Sequence, residues 1–264
     1  MKSPTRQAAE HLIKQRLALD PIVDLPADCR PRTIQEAYSI QSELNNLLIE
    51  AGMGTLVGHK IGCTTPVMQA YVNIPHPCAG RIFSSTVLAN GAHVPHRGFV
   101  RMGVECEIAV RLVQDLKPQS HPFTRDSVAP AVGAVMAAIE IVDERYRDYR
   151  ALGIPTLIAD DFFNAGCVLG KPVTNWRHLD LAALLGRASI NGIEVGRGHG
   201  ELVLGHPLNA LSWLANSRIQ ARLPPLLAGE FILLGSVVAT QWLEPGDVFS
   251  IAIDSLGELN LTLD

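Results

Sequence analysis

Apolar residues recur along this chain at two different periods. Over residues 5–19, Ala8, Leu12, Ile13 and Leu17 fall at helical spacing. The next stretch, "DPIVDLPADCRPRT", carries three prolines and reads as a loop. Residues 33–54 predict a second helix. Thr33 is its N-cap, Glu36 completes a capping-box pattern, and Gly52 follows the last apolar position. Residues 1–54 therefore predict a helical N-terminal cap.

After Thr55 the period shortens. "LVGHKIGC" reads as a strand and "TTPVMQAYVN" as a short helix or turn. "GRIFSSTVLANGAHVP" reads as strand, turn, strand, with Asn90-Gly91 as a hairpin signal. "GVECEIAVRLV" reads as a strand with clear period-two alternation. "SVAPAVGAVMAAIEIVDERY" predicts a helix that gives way to a strand over residues 138–143. "GCVLG", "RASINGIEVGRG", "GEFILLGSVVATQWL" and "GDVFSIAIDSLGELNLTLD" add strands, with helices expected over residues 179–185 and 207–217. Residues 55–264 thus predict a β-rich α+β domain rather than a βαβ repeat.

Composition narrows the class. Hydrophobic residues make up 47% and the formal net charge is −4, with Lys and Arg scattered. No basic stripe suits nucleic acid and no polybasic patch suits a membrane surface. Five cysteines without a CxxC pair argue against a disulfide framework and a thiolate zinc site. They fit a reducing compartment. With no signal-like apolar core at the N-terminus and no long apolar run, the expectation is a cytoplasmic protein with a small-molecule partner.

The candidate chemistry lies in carboxylates. Glu105 and Glu107, one residue apart in a strand, share a face. The ordinary reading is a strand with one wet face. Glu140 stands in "AVGAVMAAIEIVD", where almost every upstream neighbour is apolar, so its charge needs an arginine partner or a metal. Three convergent acids would form an all-oxygen site for a hard divalent ion. Spacing alone does not establish that they converge.

The segments "VGHKIGCTTP", "GVECEIAVRL", "AAIEIVDERY", "IADDFFNAGCVLG", "LGHPLNALSWLA" and "LLGSVVATQWLEPGDVFSIAIDSLG" occur in an order that resembles the fumarylacetoacetate hydrolase superfamily. The resemblance is to its 2-keto-4-pentenoate hydratase and 4-oxalocrotonate decarboxylase branch. It implies a mixed β-roll core with a small helical N-terminal region, and a Mg²⁺ or Mn²⁺ ion on Glu105, Glu107 and Glu140. It also implies an active-site Lys60, with Asp161 and Asn164 near the substrate, and a homo-oligomer built on dimers. At one place the chain departs from that pattern, carrying Ser84-Ser85 after "GRIF" where the hydratases often have an acidic pair. The two serines then take the substrate-contacting position.

The implied substrate is a 2-oxo or 2-hydroxy-dienoic carboxylate, activated through an enolate at its C2 oxygen. Lys60 would sit beside that oxygen, as a neutral base or a charged donor. His59 is a second acid–base candidate, its alternative being a polar loop residue. Cys63 and Cys106 have no visible base, so no thiol nucleophile is expected. His206 and Asn209 read as helix-start residues. The leading expectation is a hydratase of aromatic catabolism, followed by a 2-oxo acid decarboxylase or a β-diketo acid C–C hydrolase. The remaining alternative is a non-catalytic partner subunit that binds metal or a diacid.

Overall fold

The computed structural model describes residues 2–71 and 73–264. Helix α1 (Pro4–Ala18) opens at Ser3, whose hydroxyl accepts from the Arg6 N–H, and closes at Leu19 with a left-handed φ of 52°. Helix α2 (Ile34–Glu50) opens at Thr33, whose side chain accepts from the Glu36 N–H. The Glu36 carboxylate accepts from the Arg32 N–H at 2.7 Å, one residue before the partner that a capping box predicts.

The remainder runs β1 (Leu56–Gly62), α3 (Pro66–Tyr71), β2 (Cys78–Phe83), β3 (Val87–Leu88), β4 (Ala92–Val94), β5 (Met102–Leu112) and α4 (Arg125–Val128). Next come β6 (Val132–Asp143), α5 (Ile154–Ala159), β7 (Asn164–Leu169), β8 (Leu185–Ile190), β9 (Ile193–His199) and α6 (Pro207–Gln220). The chain ends with β10 (Phe231–Ser236), β11 (Gln241–Trp242), β12 (Val248–Ile253) and β13 (Gly257–Leu263).

Among the described residues the strands form two mixed sheets. The first has the order β2-β1-β10-β5-β6-β7-β3, with β11 also paired to β5; the second has the order β4-β13-β12-β8-β9. Strands β2 and β7 lie near opposite ends of the first sheet yet touch, so that sheet curls into a half-barrel. Its convex side packs on the second sheet. Val104, Cys106, Ile108 and Val110 of β5 join the main core there, and Cys106 lies against Gly186 of β8. Its concave side holds a separate apolar plug of Ile82, Ala109, Met136, Ala138, Phe231 and Leu233. Glu105 and Glu107 share the Ala109 side of β5, so the strand alternation that suggested a wet face instead points two acids into this interior.

Three local expectations change. Residues 179–184 are turns leading into β8 rather than a helix, because chain reversal there lets the Glu201 and Gly200 N–H groups bond Ala182 O and Leu184 O. Asn90-Gly91 does not close a hairpin: β3 pairs with β7 and β4 with β13, so this turn passes the chain between sheets. Asn191-Gly192, with φ of 52° and 78°, does close the β8–β9 hairpin. Strand β6 starts at Val132, well before residue 138, because pairing with β5 along its whole length overrides the helical propensity of its Ala and Met residues. Among the described residues no helix is long and apolar enough to cross a membrane.

Candidate metal centre and active-site cavity

In the β5–β6 ladder Glu105 stands directly opposite Glu140, and Glu107 stands opposite Ala138, whose small side chain leaves it room. One carboxylate oxygen from each of the three acids lies within 4.8 Å of the others. Each acid is anchored through one oxygen. Glu140 Oε1 accepts from Lys60 Nζ at 3.0 Å and from Asn164 Nδ2 at 3.1 Å. Glu107 Oε2 accepts from the Gly235 N–H at 2.8 Å, and Glu105 Oε1 accepts from the Thr240 hydroxyl. The opposite oxygens of Glu107 and Glu140 are buried without a hydrogen-bond partner. An orphaned buried carboxylate oxygen is costly unless a cation takes it.

The charges agree. Three carboxylates against one ammonium leave two excess negative charges in a buried space. Burial, then the charges of Glu140 and Glu105, push the Glu107 carboxyl well above its ordinary range. Burial and Glu140 raise Glu105 as well. Burial works against the Lys60 charge, but the three carboxylates outweigh it and raise the pKa of its ammonium. An all-oxygen donor set with two excess negative charges fits a hard divalent cation.

Glycines make the room. A Cβ at Gly80 would meet Asp161 O at 2.4 Å and Lys60 Cγ at 3.2 Å; one at Gly62 would meet the Phe162 ring at 2.7 Å. Small residues in these strands thus mark close approaches around Lys60.

A cavity of about 740 Å³ opens from Lys60 and Glu105. Its walls include Phe162, Phe163, Trp242, Val142, Met68 and Leu202. Asp161, Phe162 and Phe163 form a left-handed run, with φ of 57°, 47° and 67°. Such backbone is costly for residues with side chains. The run is clamped from outside the cavity: Asp161 accepts from the Arg81 N–H and from Asn45, and Arg145 donates to the Phe163 and Asn164 carbonyls. Both phenylalanines are thereby on the cavity wall. Cys63 also lines the cavity, but burial pushes its thiol up to about 12. It therefore stays protonated at neutral pH.

The residues singled out from sequence separate into groups. Glu105, Glu107, Glu140 and Lys60 converge. Asn164 is buried against Glu140 and positions that acid instead of lining the cavity. His59 neighbours Lys60 on a strand and so points to the opposite face, where it contacts Arg81 and lies 3.5 Å from Glu230. Burial, then Arg81, lowers its pKa to about 3, so it is a neutral imidazole outside the cavity. The Asp161 carboxylate faces Arg16 and Asn45, away from the cavity. Ser84 and Ser85 are exposed, and their hydroxyls bond Thr55 N and Met53 O, so they do not reach the cavity either. His206 caps α6 by accepting from the Leu208 N–H, and Asn209 bonds Leu204 O, as helix-start residues do.

Sequence reasoning missed Phe162, Phe163, Thr240 and Trp242. The glycines at 62, 80 and 103 were the available signal, since each leaves space for a neighbour that only tertiary structure identifies.

A curled sheet with three inward acids and a lysine forms a carboxylate cluster that could hold a metal ion inside a half-barrel, with an apolar chamber above it. The chain belongs to the fumarylacetoacetate (FAA) hydrolase family, whose C-terminal model matches residues 41–264. It is 34% identical over 226 residues to a 2-keto-4-pentenoate hydratase of Burkholderia vietnamiensis, covering 86% of this chain and 84% of that one. It is 36% identical over 234 residues to a 2-hydroxyhexa-2,4-dienoate hydratase of Comamonas testosteroni, covering 87% and 86%. Its structure resembles that of a 4-oxalocrotonate decarboxylase from Pseudomonas putida G7 complexed with magnesium and adipate. That match has a TM-score of 0.91 at 25% identity and covers 98% of this chain and 97% of the other.

Proposed function

We propose that this protein is a hydro-lyase that adds water to a 2-hydroxy-2,4-dienoate, working with Mg²⁺ or Mn²⁺ held by Glu105, Glu107 and Glu140. One observation carries the reading: each acid is fixed through one oxygen, and two of the remaining oxygens are buried without partners beside Lys60. The hydratase names of the similar proteins supply the reaction class.

When bound, the cation supplies Lewis acidity toward the substrate carboxylate and C2 oxygen. Lys60 Nζ donates a hydrogen bond to the C2 oxygen and so favours negative charge there. Overall, the C2 hydroxyl proton is lost, a proton is gained at C5, and water adds its hydroxyl at C4 and a proton at C3. Phe162, Phe163 and Trp242 enclose the diene and limit solvent to the molecule that reacts. The Cys63 thiol, protonated at neutral pH, stays out of the chemistry.

Decarboxylation of a 2-oxo dioate is the second reading, favoured by the likeness to a decarboxylase along nearly the whole chain. The purified protein with Mg²⁺ is assayed on 2-hydroxypenta-2,4-dienoate and on 4-oxalocrotonate, following dienoate absorbance and CO₂. Loss of dienoate without CO₂ supports the hydratase, and CO₂ release supports the decarboxylase. Turnover of neither substrate overturns both.

A further inference from the structure

None of His59, Asp161, Ser84 and Ser85 reaches the cavity, so the water that adds at C4 needs another holder. Backbone geometry brings Thr64 to that place. Cys63 follows β1 with a left-handed φ of 55°, which turns the chain out of the strand. Three hydrogen bonds then fix the segment. Gln69 Nε2 donates to Cys63 O at 3.0 Å, the Leu204 N–H to Thr64 O at 3.0 Å, and the Met68 N–H to the Thr65 hydroxyl at 3.2 Å. The Thr64 side chain comes to lie on Gly235 of β10. A Cβ at Gly235 would meet Thr64 Oγ1 at 2.1 Å and Thr64 Cβ at 2.8 Å, so a glycine keeps this seat open. The Gly235 N–H is the one that anchors Glu107, and Ser236 stands opposite Glu107 in the ladder. Thr64 therefore sits at the carboxylate end of the cavity, in the same turn of chain as Lys60.

The hydroxyls at this end of the cavity differ in what they are free to do. Ser236 donates to Cys106 O at 3.1 Å and accepts from the Val238 N–H at 3.3 Å. Thr240 donates to Glu105, and the Thr65 oxygen is taken by the Met68 N–H. Thr64 is 3% exposed and lines the cavity, and its hydroxyl makes no hydrogen bond within the protein among the described residues. A buried hydroxyl without a partner costs free energy, and a molecule in the cavity relieves that cost. A hydroxyl both donates and accepts, so it can take one O–H of a water and leave that water's lone pair free to react. The reach is short. C4 of the substrate lies two bonds beyond C2, roughly 2.5 Å away. With Lys60 on the C2 oxygen, C4 stays at the end of the cavity that Thr64 lines.

We propose that the Thr64 hydroxyl holds the water that adds at C4 and aims its lone pair at that carbon. Ketonisation of the dienol comes first: the C2 hydroxyl loses its proton and C5 gains one, leaving a C3–C4 double bond conjugated with the C2 carbonyl. The water oxygen then bonds C4, and the C3–C4 π pair shifts toward the C2 oxygen. That pair returns to take a proton at C3, restoring the carbonyl. The proton that the water releases and the one that C3 takes up are exchanged with solvent, so the sum is one added H2O. Holding the water removes a search for orientation that would otherwise slow this step alone. The inference rests on the reading of this protein as a hydro-lyase.

The test follows 2-hydroxypenta-2,4-dienoate with the Mg²⁺-loaded protein. It measures separately the catalysed conversion to 2-oxopent-3-enoate and the yield of 4-hydroxy-2-oxopentanoate. In Thr64→Val, which keeps the shape against Gly235, ketonisation is expected to run at the wild-type rate. Hydration falls by about 100-fold, and the 2-oxo-enoate accumulates. Thr64→Ser, which keeps the hydroxyl, restores hydration, and Mn²⁺ affinity measured by calorimetry is the same in both variants as in the wild type. Hydration retained in Thr64→Val, both steps lost together, no rescue by Thr64→Ser, or a fall in Mn²⁺ affinity overturns the inference alone. If Thr64→Val does not fold, Thr64→Ala is read in the same way. Absence of the hydrated product from the wild-type reaction overturns the hydro-lyase reading, and this inference with it.

Discussion

Glu105 and Glu140 face each other across the β5–β6 ladder, two acids at directly opposed positions on the inside of a half-barrel. Like charges directly opposite destabilise a sheet, a cost that the proposed metal ion would offset. Glu140→Gln keeps the shape and removes the charge. Mn²⁺ affinity, measured by calorimetry, is expected to fall by about 100-fold or more, with an unchanged circular dichroism spectrum. Undiminished affinity would remove Glu140 from the ligand set.

Lys60 is the one buried cation that touches the carboxylate cluster among the described residues. Lys60→Met is expected to lower kcat/KM by about 100- to 1000-fold, the range for losing a donor to developing negative charge. Metal affinity should stay level or rise, because a competing positive charge has gone. A parallel loss of metal affinity would make Lys60 a structural partner of Glu140 and nothing more.

Glu105 and Glu107 have raised pKa values in the metal-free protein. Above the unfolded carboxylate value near 4.5 the native state then holds more protons than the unfolded state. Stability of the metal-free protein attributable to these acids falls as pH rises through that window. A divalent cation replaces those protons. The rise in Tm produced by Mg²⁺ over EDTA is therefore expected to grow from about pH 5 to pH 8. A constant increment would mean that these acids are not the ligands.

His59 lies outside the cavity as a buried neutral imidazole with a pKa of about 3. The unfolded chain takes up this proton near 6.5, so native stability attributable to His59 is lost as pH falls from there toward 3. At pH 4 the loss is about 3 kcal/mol. His59→Gln should leave turnover at the wild-type level while flattening this part of the acid-stability profile in urea melts. A collapse in kcat without a stability change would return His59 to the catalytic set.

Asp160 is fully buried between Arg16 at 2.7 Å and Arg145 at 2.9 Å, and it accepts from the Tyr146 hydroxyl. It immediately precedes the left-handed run that carries Phe162 and Phe163. Asp160→Asn removes the carboxylate paired with the buried Arg145 and leaves Arg16 only its longer contact to Asp161, and it is expected to cost about 3–5 kcal/mol in denaturant melts. A loss below about 1 kcal/mol, the range of surface pairs, would show that the cluster does not hold this turn.

Some of this was legible from local pattern. The two N-terminal helices and the long alternating strand rest on periods of 3.6 and 2, which neighbours in sequence determine. The placement of Glu105 and Glu107 on one face follows from the same geometry, and the apolar context of Glu140 announced its burial. The opposite orientation of His59 and Lys60 follows once their segment is a strand, since adjacent residues there cannot share a face. The convergence of the three acids required the β5–β6 register, a contact between residues 35 positions apart. The tertiary fold also decided which oxygen of each acid is anchored and the left-handed turn that turns Phe162 and Phe163 inward. Each of these depends on backbone groups or side chains brought together by sheet curvature, and periodicity along a chain carries no information about which distant strand lies alongside.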